Sequence, residues 1–547
     1  MLRRGVFEKI GTIWGVRHAH QEARKIISAF RTMPINDDMF GLNSEQKMLR
    51  RSVFEFTQKE LAPYAKEIDE NDHFDRLHEF WLKCGEQGYL GATVASEYGG
   101  SGLGYFDHCL IVEEIHRASG AIGCRYVNHS NLCVNQIHRN GTHEQKQKYL
   151  PKLCSGEHFG SICMSETTAG TDVVAMQCRA RKEGDVYVIN GHKMWITNGP
   201  DADVSVLYAK TAPEKGKHGI TAFILETNSK GVTKMPKINK MGMRGSATCQ
   251  LIFEDVEIPA ENVLGEVNNG VYVLMSGLDL ERLTCAAGSL GMMQAACDVA
   301  FDYANQRKMF GKKQSELPIM QAKIGEMYTK LVSSRALLYA IARSTSDGAV
   351  SSKDCNAAFF QCGELATQVA LEAVQILGGN GYTRDYPAER IARDAKFDIA
   401  ILTCRLCEPA GLVWITLDCV NRKSPFPSSF SEEFPEMAMN RETGAVRDDA
   451  LKLFECKPFD EFAKKVCQKM AIDEKLGRPP SKLFRRPIDY YHWYVLFYEQ
   501  LNYNPDFIPA EFPILYPEWM YPFGGIPEKL MEVLRQRGEY PPPVPHD

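Results

Sequence analysis

Apolar residues recur three and four positions apart over two long parts of the chain, which is the spacing of one buried face of a helix. This spacing predicts helices from about residue 42 to 151, interrupted by a Gly-Gly-Ser-Gly loop at 99–102, and again from about 270 to 421. Between 159 and 271 the pattern changes to short runs of β-branched and aromatic residues, which are typical of strands. The order of helices, strands and helices predicts three successive domains.

One dipeptide in the middle part gives a specific expectation. Val186–Ile189 has a strand pattern and is followed by Asn190-Gly191, which favours a two-residue hairpin turn. Lys193–Thr197 is then predicted to be the returning strand. Further strands are predicted at 204–209, 220–225 and 249–253.

The composition changes near the N-terminus. Up to Arg31 the chain has seven basic residues and only two acids, Glu8 and Glu22, together with an apolar stripe that ends at Trp14. A basic, acid-poor, amphipathic segment predicts a mitochondrial presequence. A basic tail that lies on a partner or on a membrane surface is the alternative.

The C-terminal part has a different composition again. Residues 425–547 hold 17 of the 27 prolines and many aromatic residues. Because proline prevents long helices and sheets, we expect an irregular extension that wraps its own body or a partner. The predicted organisation is a basic segment at 1–40, a helical domain at 41–158, a β domain at 159–271, a helical bundle at 272–422 and the extension at 423–547.

Composition also excludes some classes of protein. The 64 basic and 69 acidic residues nearly balance, so the chain is not predicted to bind nucleic acid. No apolar run reaches membrane-spanning length. The 17 cysteines are scattered, which indicates reduced thiols inside a cell, most of them small core residues. The pair Cys404 and Cys407 fits two core cysteines better than a metal or redox site, and no metal is predicted.

Leu278–Arg282 places one carboxylate, Glu281, at the start of a long apolar helix that continues to Phe301. Glu281 could be solvated, paired with Arg282, or held in an apolar pocket as a base. Burial raises the pKa of a carboxyl group and makes its anion a better proton acceptor near neutral pH. The residues alone favour the ion pair.

Three other segments are candidates for ligand binding, each with a simpler structural explanation. The loop 163–172 is polar and contains hydroxyl groups, but it could be only a turn. Trp195 and Thr197 lie on one face of a strand, although a tryptophan is often a core residue. Gly378-Gly379 allows close backbone approach to a diphosphate, but it could also be a helix end.

Four motifs, at 163–172, 195–199, 307–311 and 375–382, together resemble those of the acyl-CoA dehydrogenases, in order and spacing, over residues 42–396. The stretches 98–105, 129–133 and 278–282 are similar to the isovaleryl-CoA type within that family. The resemblance implies a multidomain α and β fold with an N-terminal helical domain, a middle β-barrel and a C-terminal four-helix bundle. It also implies a homo-oligomer that binds FAD.

The implied reaction is α,β-dehydrogenation of a short branched acyl-CoA, with electrons passed to electron transfer flavoprotein. Glu281 is then the implied base. The implied flavin contacts are Met164, Ser165, Thr171, Trp195, Ile196, Thr197, Arg307, Phe310, Gln321, Gln375, Gly378 and Gly379. The implied substrate contacts are Thr171, Tyr272, Asp279, Leu280 and Arg282.

Two departures from the family pattern matter. Pro318 replaces a glutamine that contacts the flavin in the family, although Gln321 is present. The Gly-Thr loop that follows Lys396 in the family is replaced by 402–406, so Leu402 occupies the usual base position. Glu408 could serve as base only if that loop has shifted.

Two hypotheses follow from these observations. The first is a working, isovaleryl-like dehydrogenase of the mitochondrial matrix. The second is a degenerate homologue that serves as an accessory subunit of a mitochondrial membrane complex, held by its basic N-terminus and its extension. The presence of Glu281, the 163–172 loop and the Trp195 strand favours the enzyme.

Overall fold

The computed structural model describes residues 31–401. The predictions for the basic segment up to residue 30, for 402–408 and for the extension at 423–547 lie outside the described residues. No helix within 31–401 combines the length and the apolar character needed to cross a membrane.

The N-terminal domain is helical, as predicted. Asn43 and Gln46 form a reciprocal capping box that starts the first helix, and Pro63 follows shortly after its end. A second capping box, Thr142 with Gln145, starts the last helix. The helices are α1 Ser44–Glu60, α2 Ala65–Asn71, α3 Leu77–Glu86, α4 Tyr105–Ala118, α5 Gly120–Val127, α6 Asn135–Asn140 and α7 His143–Ser155, with a π-helical turn at Asn128–Val134.

The middle domain is one mixed sheet of eight strands. Its order is β6-β7-β3-β2-β4-β5-β8, with β1 pairing parallel to β4. The order has two ends, so the predicted closure into a barrel is not confirmed. The strands are β1 Gly160–Cys163, β2 Arg179–Glu183, β3 Val186–Thr197, β4 Val204–Lys210, β5 Ile220–Glu226, β6 Val232–Lys234, β7 Thr248–Pro259 and β8 Val263–Leu264.

The predicted hairpin at Asn190-Gly191 is wrong, because β3 runs straight through this dipeptide. The Asn190 side chain instead bridges an irregularity in β7, where it donates to Asp255 Oδ1 (2.8 Å). Gly191 is needed for close approach, since a Cβ there would lie 2.9 Å from Cys178 Cα. The β2–β3 turn is at Gly184-Asp185, where the glycine has φ +57°.

The C-terminal domain contributes four packed helices to the described part of the chain. Pro318 is the first residue of the second of these, where its fixed φ suits a helix and its missing N–H costs no hydrogen bond. The helices are α8 Gly270–Gln306, α9 Pro318–Ser346, α10 Ser352–Leu377 and α11 Ala388–Ile401, and strands β9 Lys308–Met309 and β10 Lys312–Lys313 form a small hairpin after α8.

Buried charges join the two helical domains. Arg335 of α9 donates to Glu113 of α4 (2.7 Å), and Arg117 of α4 donates to Asp298 of α8 (2.8 Å). All four side chains are buried, and such groups are tolerated only when paired. The 12 cysteines of the described part are free thiols, and ten of them are buried, as expected for core residues.

Candidate active site

A cavity of about 480 Å³ lies between the β-sheet and the helices of the N-terminal and C-terminal domains. The sheet contributes β3 and the loop after β1, and the helices contribute α4, α5, the π-helical turn, α8, α10 and α11. Six residues predicted from the sequence to bind the flavin line this cavity: Met164, Ser165, Thr171, Trp195, Ile196 and Thr197. We call this side the sheet wall and the side formed by the helices the helical wall.

A fully buried ion pair holds the loop of the sheet wall. Lys193 of β3 donates to Glu166 Oε1 and to the Met164 carbonyl oxygen, both at 2.9 Å. Glu166 also accepts from the backbone N–H groups of Gln177 (2.6 Å) and Cys178 (3.0 Å). Burial opposes ionisation of Glu166, but Lys193 and these hydrogen bonds outweigh it, so the pKa of this carboxyl is lowered. The loop is therefore fixed to β3 by a charged, fully bonded contact.

Trp195 sits at a bulge where β3 has one residue more than β7 opposite it. Its φ is +65°, which is unusual for a bulky residue, and its side chain is 58% exposed. An exposed indole at a conformational outlier in a cavity wall indicates a ligand-binding position. The hydroxyl groups of Ser165, Thr171 and Thr197 have no hydrogen-bond partner among residues 31–401, so they are available to the same ligand.

Glu281 lies on α8 in the helical wall. No donor within the described residues contacts its carboxylate. Arg282, the partner favoured by the sequence, instead donates to Asp279 (3.3 Å), so the expected Glu281–Arg282 pair is wrong. Burial raises the pKa of the Glu281 carboxyl to about 7, and the nearby Arg282 charge opposes this shift. The structure thus leaves Glu281 as an unpaired carboxylate whose pKa suits proton transfer at neutral pH.

Only two of the five residues predicted to contact substrate line the cavity. These two are Thr171 and Arg282. Asp279 does not line the cavity, and its carboxylate accepts from Arg282 (3.3 Å) and from Ser352 Oγ (2.7 Å). Leu280 of α8 is buried but does not line the cavity, and Tyr272 is 60% exposed beside His218.

The remaining predicted flavin residues lie on a second surface, away from this cavity. Phe310, at the tip of the β9–β10 hairpin, is 90% exposed with φ +51°. Gln314 donates to the Ile376 carbonyl oxygen (2.8 Å) and so ties the hairpin region to the end of α10. The exposed members of this second surface are Arg307, Phe310, Gln321, Gln375, Gly378 and Gly379.

Sequence reasoning missed four residues of the site. Lys193 and Glu166 belong to the strand and the loop whose other residues form the motifs, and a lysine inside a strand two residues before a tryptophan was the available signal. His116 of α4 and Asp398 of α11 also line the cavity. No local pattern singles them out, because their place depends on how α4 and α11 pack.

The cavity suits a flavin, since the sheet wall offers an exposed aromatic ring and three unpartnered hydroxyl groups beside apolar side chains. Together with the helix–sheet–helix order, these features define a flavin-dependent oxidoreductase. Three family models match the chain: the acyl-CoA dehydrogenase N-terminal domain at residues 43–157, the middle domain at 161–256 and the C-terminal domain at 268–400.

Known proteins agree with these models. A mitochondrial isovaleryl-CoA dehydrogenase of Pongo abelii is 52% identical over 370 residues, covering 67% of this chain and 88% of that protein. A mitochondrial 2-methylacyl-CoA dehydrogenase of Solanum tuberosum is 48% identical over 386 residues, covering 70% and 94%. The structure of butyryl-CoA dehydrogenase from Megasphaera elsdenii superposes with a TM-score of 0.67 at 35% identity, covering 70% of this chain and all of that one.

This chain belongs to the acyl-CoA dehydrogenase family, whose members are FAD flavoproteins. It is therefore a flavoprotein oxidoreductase with FAD as its cofactor. Among residues 31–401 no cluster of side chains could hold a metal ion.

Proposed function

We propose that this enzyme catalyses α,β-dehydrogenation of a short branched acyl-CoA of the isovaleryl type, with Glu281 as the base. The observation that carries the proposal is the position of Glu281. Its carboxylate is unpaired and lies in the same cavity as the Trp195 strand. The usual base position of the family, Leu402, is outside the described residues and has no side chain that could accept a proton.

Glu281 accepts the proton from the α-carbon of the acyl group. With a pKa of about 7, the Glu281 carboxyl group is ionised in close to half of the protein molecules at neutral pH, and the anion is basic enough to assist the transfer. FAD, when bound, would supply the redox chemistry as the acceptor of hydride from the β-carbon. Apolar side chains of the helical wall, such as Leu278 and Phe359, exclude water from the acyl group.

The sheet wall holds the flavin ring in this proposal. Trp195 would stack on it, and the hydroxyl groups of Ser165, Thr171 and Thr197 would hydrogen-bond its polar atoms. The Lys193–Glu166 pair keeps Met164 and Ser165 in place through the Met164 carbonyl oxygen.

The exposed second surface would hold the diphosphate end of FAD, in this proposal that of another copy of the chain. Arg307 supplies positive charge there, and Gly378-Gly379 allow close backbone approach. Both glycines have open space around the position of a Cβ, so a ligand can approach them. The active form is therefore a homo-oligomer, in which each copy completes the cofactor site of another.

The protein acts in mitochondria and passes its electrons to electron transfer flavoprotein. The mitochondrial location is supported by the similarity to mitochondrial enzymes and by the basic composition up to Arg31. Association with a membrane complex depends on segments outside the described residues and is not part of the proposal.

The test is the visible spectrum of the purified protein, followed by anaerobic titration with isovaleryl-CoA. We expect bound flavin that bleaches with substrate. Glu281→Gln should retain flavin and slow bleaching by about 10²–10⁴-fold, the usual contribution of a positioned base. Glu257→Gln, an exposed position on β7, is the matched control and should bleach normally.

Absence of flavin, or flavin that never bleaches, would contradict the enzyme and favour the accessory-subunit hypothesis. Rapid bleaching in Glu281→Gln would remove Glu281 from the mechanism and redirect attention to Glu408.

A further inference from the structure

The helical wall carries a second carboxyl group, Asp398 of α11. Its side chain is only 4% exposed, yet it lines the cavity. Ser289 Oγ donates to its Oδ2 atom at 2.6 Å. Among residues 31–401 Ser289 is its only hydrogen-bond donor, so the Oδ1 atom is left without a partner.

Asp398 lies at the end of the helical wall that is remote from Glu281. Glu281, Cys285 and Ser289 are spaced four residues apart and share one face of α8. At 1.5 Å per residue, Ser289 lies about 12 Å along the helix axis from Glu281. The inference places the acyl chain with its α-carbon at Glu281 and its far end running along α8 towards Asp398, which Ser289 holds.

Two more side chains of the cavity, His116 and Asn128, each have one acceptor atom without a hydrogen-bond donor among residues 31–401. His116 Nδ1 contacts the Val112 carbonyl oxygen (3.0 Å), so this nitrogen carries the proton. Burial lowers the His116 pKa to about 4, which leaves the ring neutral and its Nε2 atom an acceptor. Gly288, next to Ser289, makes room for that atom, since a Cβ there would lie 2.7 Å from it.

Asn128 is the second such group. It lies one helical turn after Cys124, on the stretch that runs from α5 into the π-helical turn, and its buried Oδ1 atom has no hydrogen-bond partner. Three acceptor atoms of cavity-lining residues, on Asp398, His116 and Asn128, thus have no hydrogen-bond donor among residues 31–401, and the Asn128 oxygen is also fully buried. A buried acceptor that stays unpaired costs free energy, so a ligand that donates a hydrogen bond here is favoured over one that does not.

We propose that Asp398 is a specificity-determining residue, which selects acyl-CoA substrates with a hydroxyl or amino group at the end of the acyl chain remote from the thioester. A chain that is hydrocarbon throughout leaves the Asp398 oxygen unpaired. This inference rests on the proposed function, because it places the acyl group between Glu281 and Asp398. It adds the substrate class that the helical wall accepts.

The test compares matched ligands by isothermal titration calorimetry on the flavin-loaded protein, which needs no turnover. The pairs are isovaleryl-CoA with 4-hydroxy-3-methylbutanoyl-CoA, and hexanoyl-CoA with 6-hydroxyhexanoyl-CoA. We expect the native protein to bind the hydroxylated member of at least one pair about tenfold more tightly, as a buried unpaired group implies. Asp398→Leu should remove this preference and bind the hydrocarbon member more tightly than the native protein does.

Asp398→Asn, which keeps an acceptor oxygen, should retain part of the preference, and thermal unfolding reports whether each variant is folded. If the native protein binds the hydrocarbon member of both pairs equally well or better, the inference is wrong whatever the variants do. Equal preference in native and Asp398→Leu protein also overturns it. If the flavin-loaded protein binds these ligands but its flavin does not bleach, only the proposed function is contradicted. If the protein binds no acyl-CoA, the proposed function and this inference are both contradicted.

Discussion

The two walls of the cavity use the same chemical group in opposite ways. Glu166 on the sheet wall is buried with a lysine and two backbone N–H donors, and its pKa is lowered. Glu281 on the helical wall has no donor within the described chain, and its pKa is raised to about 7. A paired carboxylate fixes geometry, and an unpaired one is free to exchange a proton. The neighbours of each glutamate, rather than its type, decide which task it performs.

Removing Lys193 should have the largest effect on the contrast between the two glutamates, because it takes away the cation that pairs with Glu166. Lys193→Met leaves Glu166 buried without its cation, and we expect a loss of about 3–5 kcal/mol in the free energy of unfolding. Urea denaturation measures it. The double variant Lys193→Met with Glu166→Gln should lose less, since no lone charge remains. Equal losses in the single and double variants would show that the unpaired Glu166 charge is not the cause of the instability.

The pH dependence of stability should also distinguish the two glutamates, with a smaller expected effect. The pKa of Glu281 is 4.5 ordinarily and about 7 in the fold, so the folded state binds the proton more tightly. Its contribution to stability is present below the unfolded value and is lost as the pH rises through 7. Glu281→Gln should therefore be more stable than the native protein at pH 8, by about 1–3 kcal/mol, and similar to it near pH 4.

Glu166→Gln should do the reverse. Its lowered pKa contributes stability above the unfolded value, so this variant should be less stable than the native protein at pH 8. Chemical denaturation at both pH values compares the two substitutions. Destabilisation by Glu281→Gln at pH 8 would mean that Glu281 has a partner after all.

The smallest effect is the pH dependence of activity. As a base, Glu281 must be unprotonated, so kcat/KM should fall as the pH falls through 7. A pKa of about 7 gives an ionised fraction of roughly a tenth at pH 6 and nine-tenths at pH 8, hence a change of about tenfold.

A second carboxyl complicates this profile. Burial also raises the pKa of Asp398 to about 7, despite the hydrogen bond from Ser289. Asp398→Asn is therefore the control, and the pH dependence should persist in it. A flat profile in Asp398→Asn would assign the titration to Asp398 instead of Glu281.

Periodicity was sufficient to predict the order of the elements, because each helix and strand shows its buried face locally. The family motifs also placed Ser165, Trp195 and Glu281, which do share one cavity. The hairpin prediction was wrong because the glycine of Asn190-Gly191 is needed for close packing inside a strand and not for a turn. Gly191 makes room for Cys178, and the turn signal lay at Gly184-Asp185.

Long-range contacts explain the rest of what the sequence did not reveal. Glu166 and Lys193 are 27 residues apart, and Asp398 is 109 residues from Ser289, so no local pattern links either pair. The Arg282 partner is different. Asp279 lies three residues before it on the same helix, which is a spacing that favours ion pairs, so the correct partner was open to prediction.

Trp195 has one more consequence, which concerns how quickly a ligand is captured. The direction of its ring follows from a left-handed backbone at a bulge, and Asn198, three residues on, has φ +63° as well. The strand sets the indole before anything arrives, so capture requires little rearrangement of the wall. Association should then need little reorganisation of the wall, and a substitution that straightens the strand should weaken binding mainly by hastening departure of the ligand.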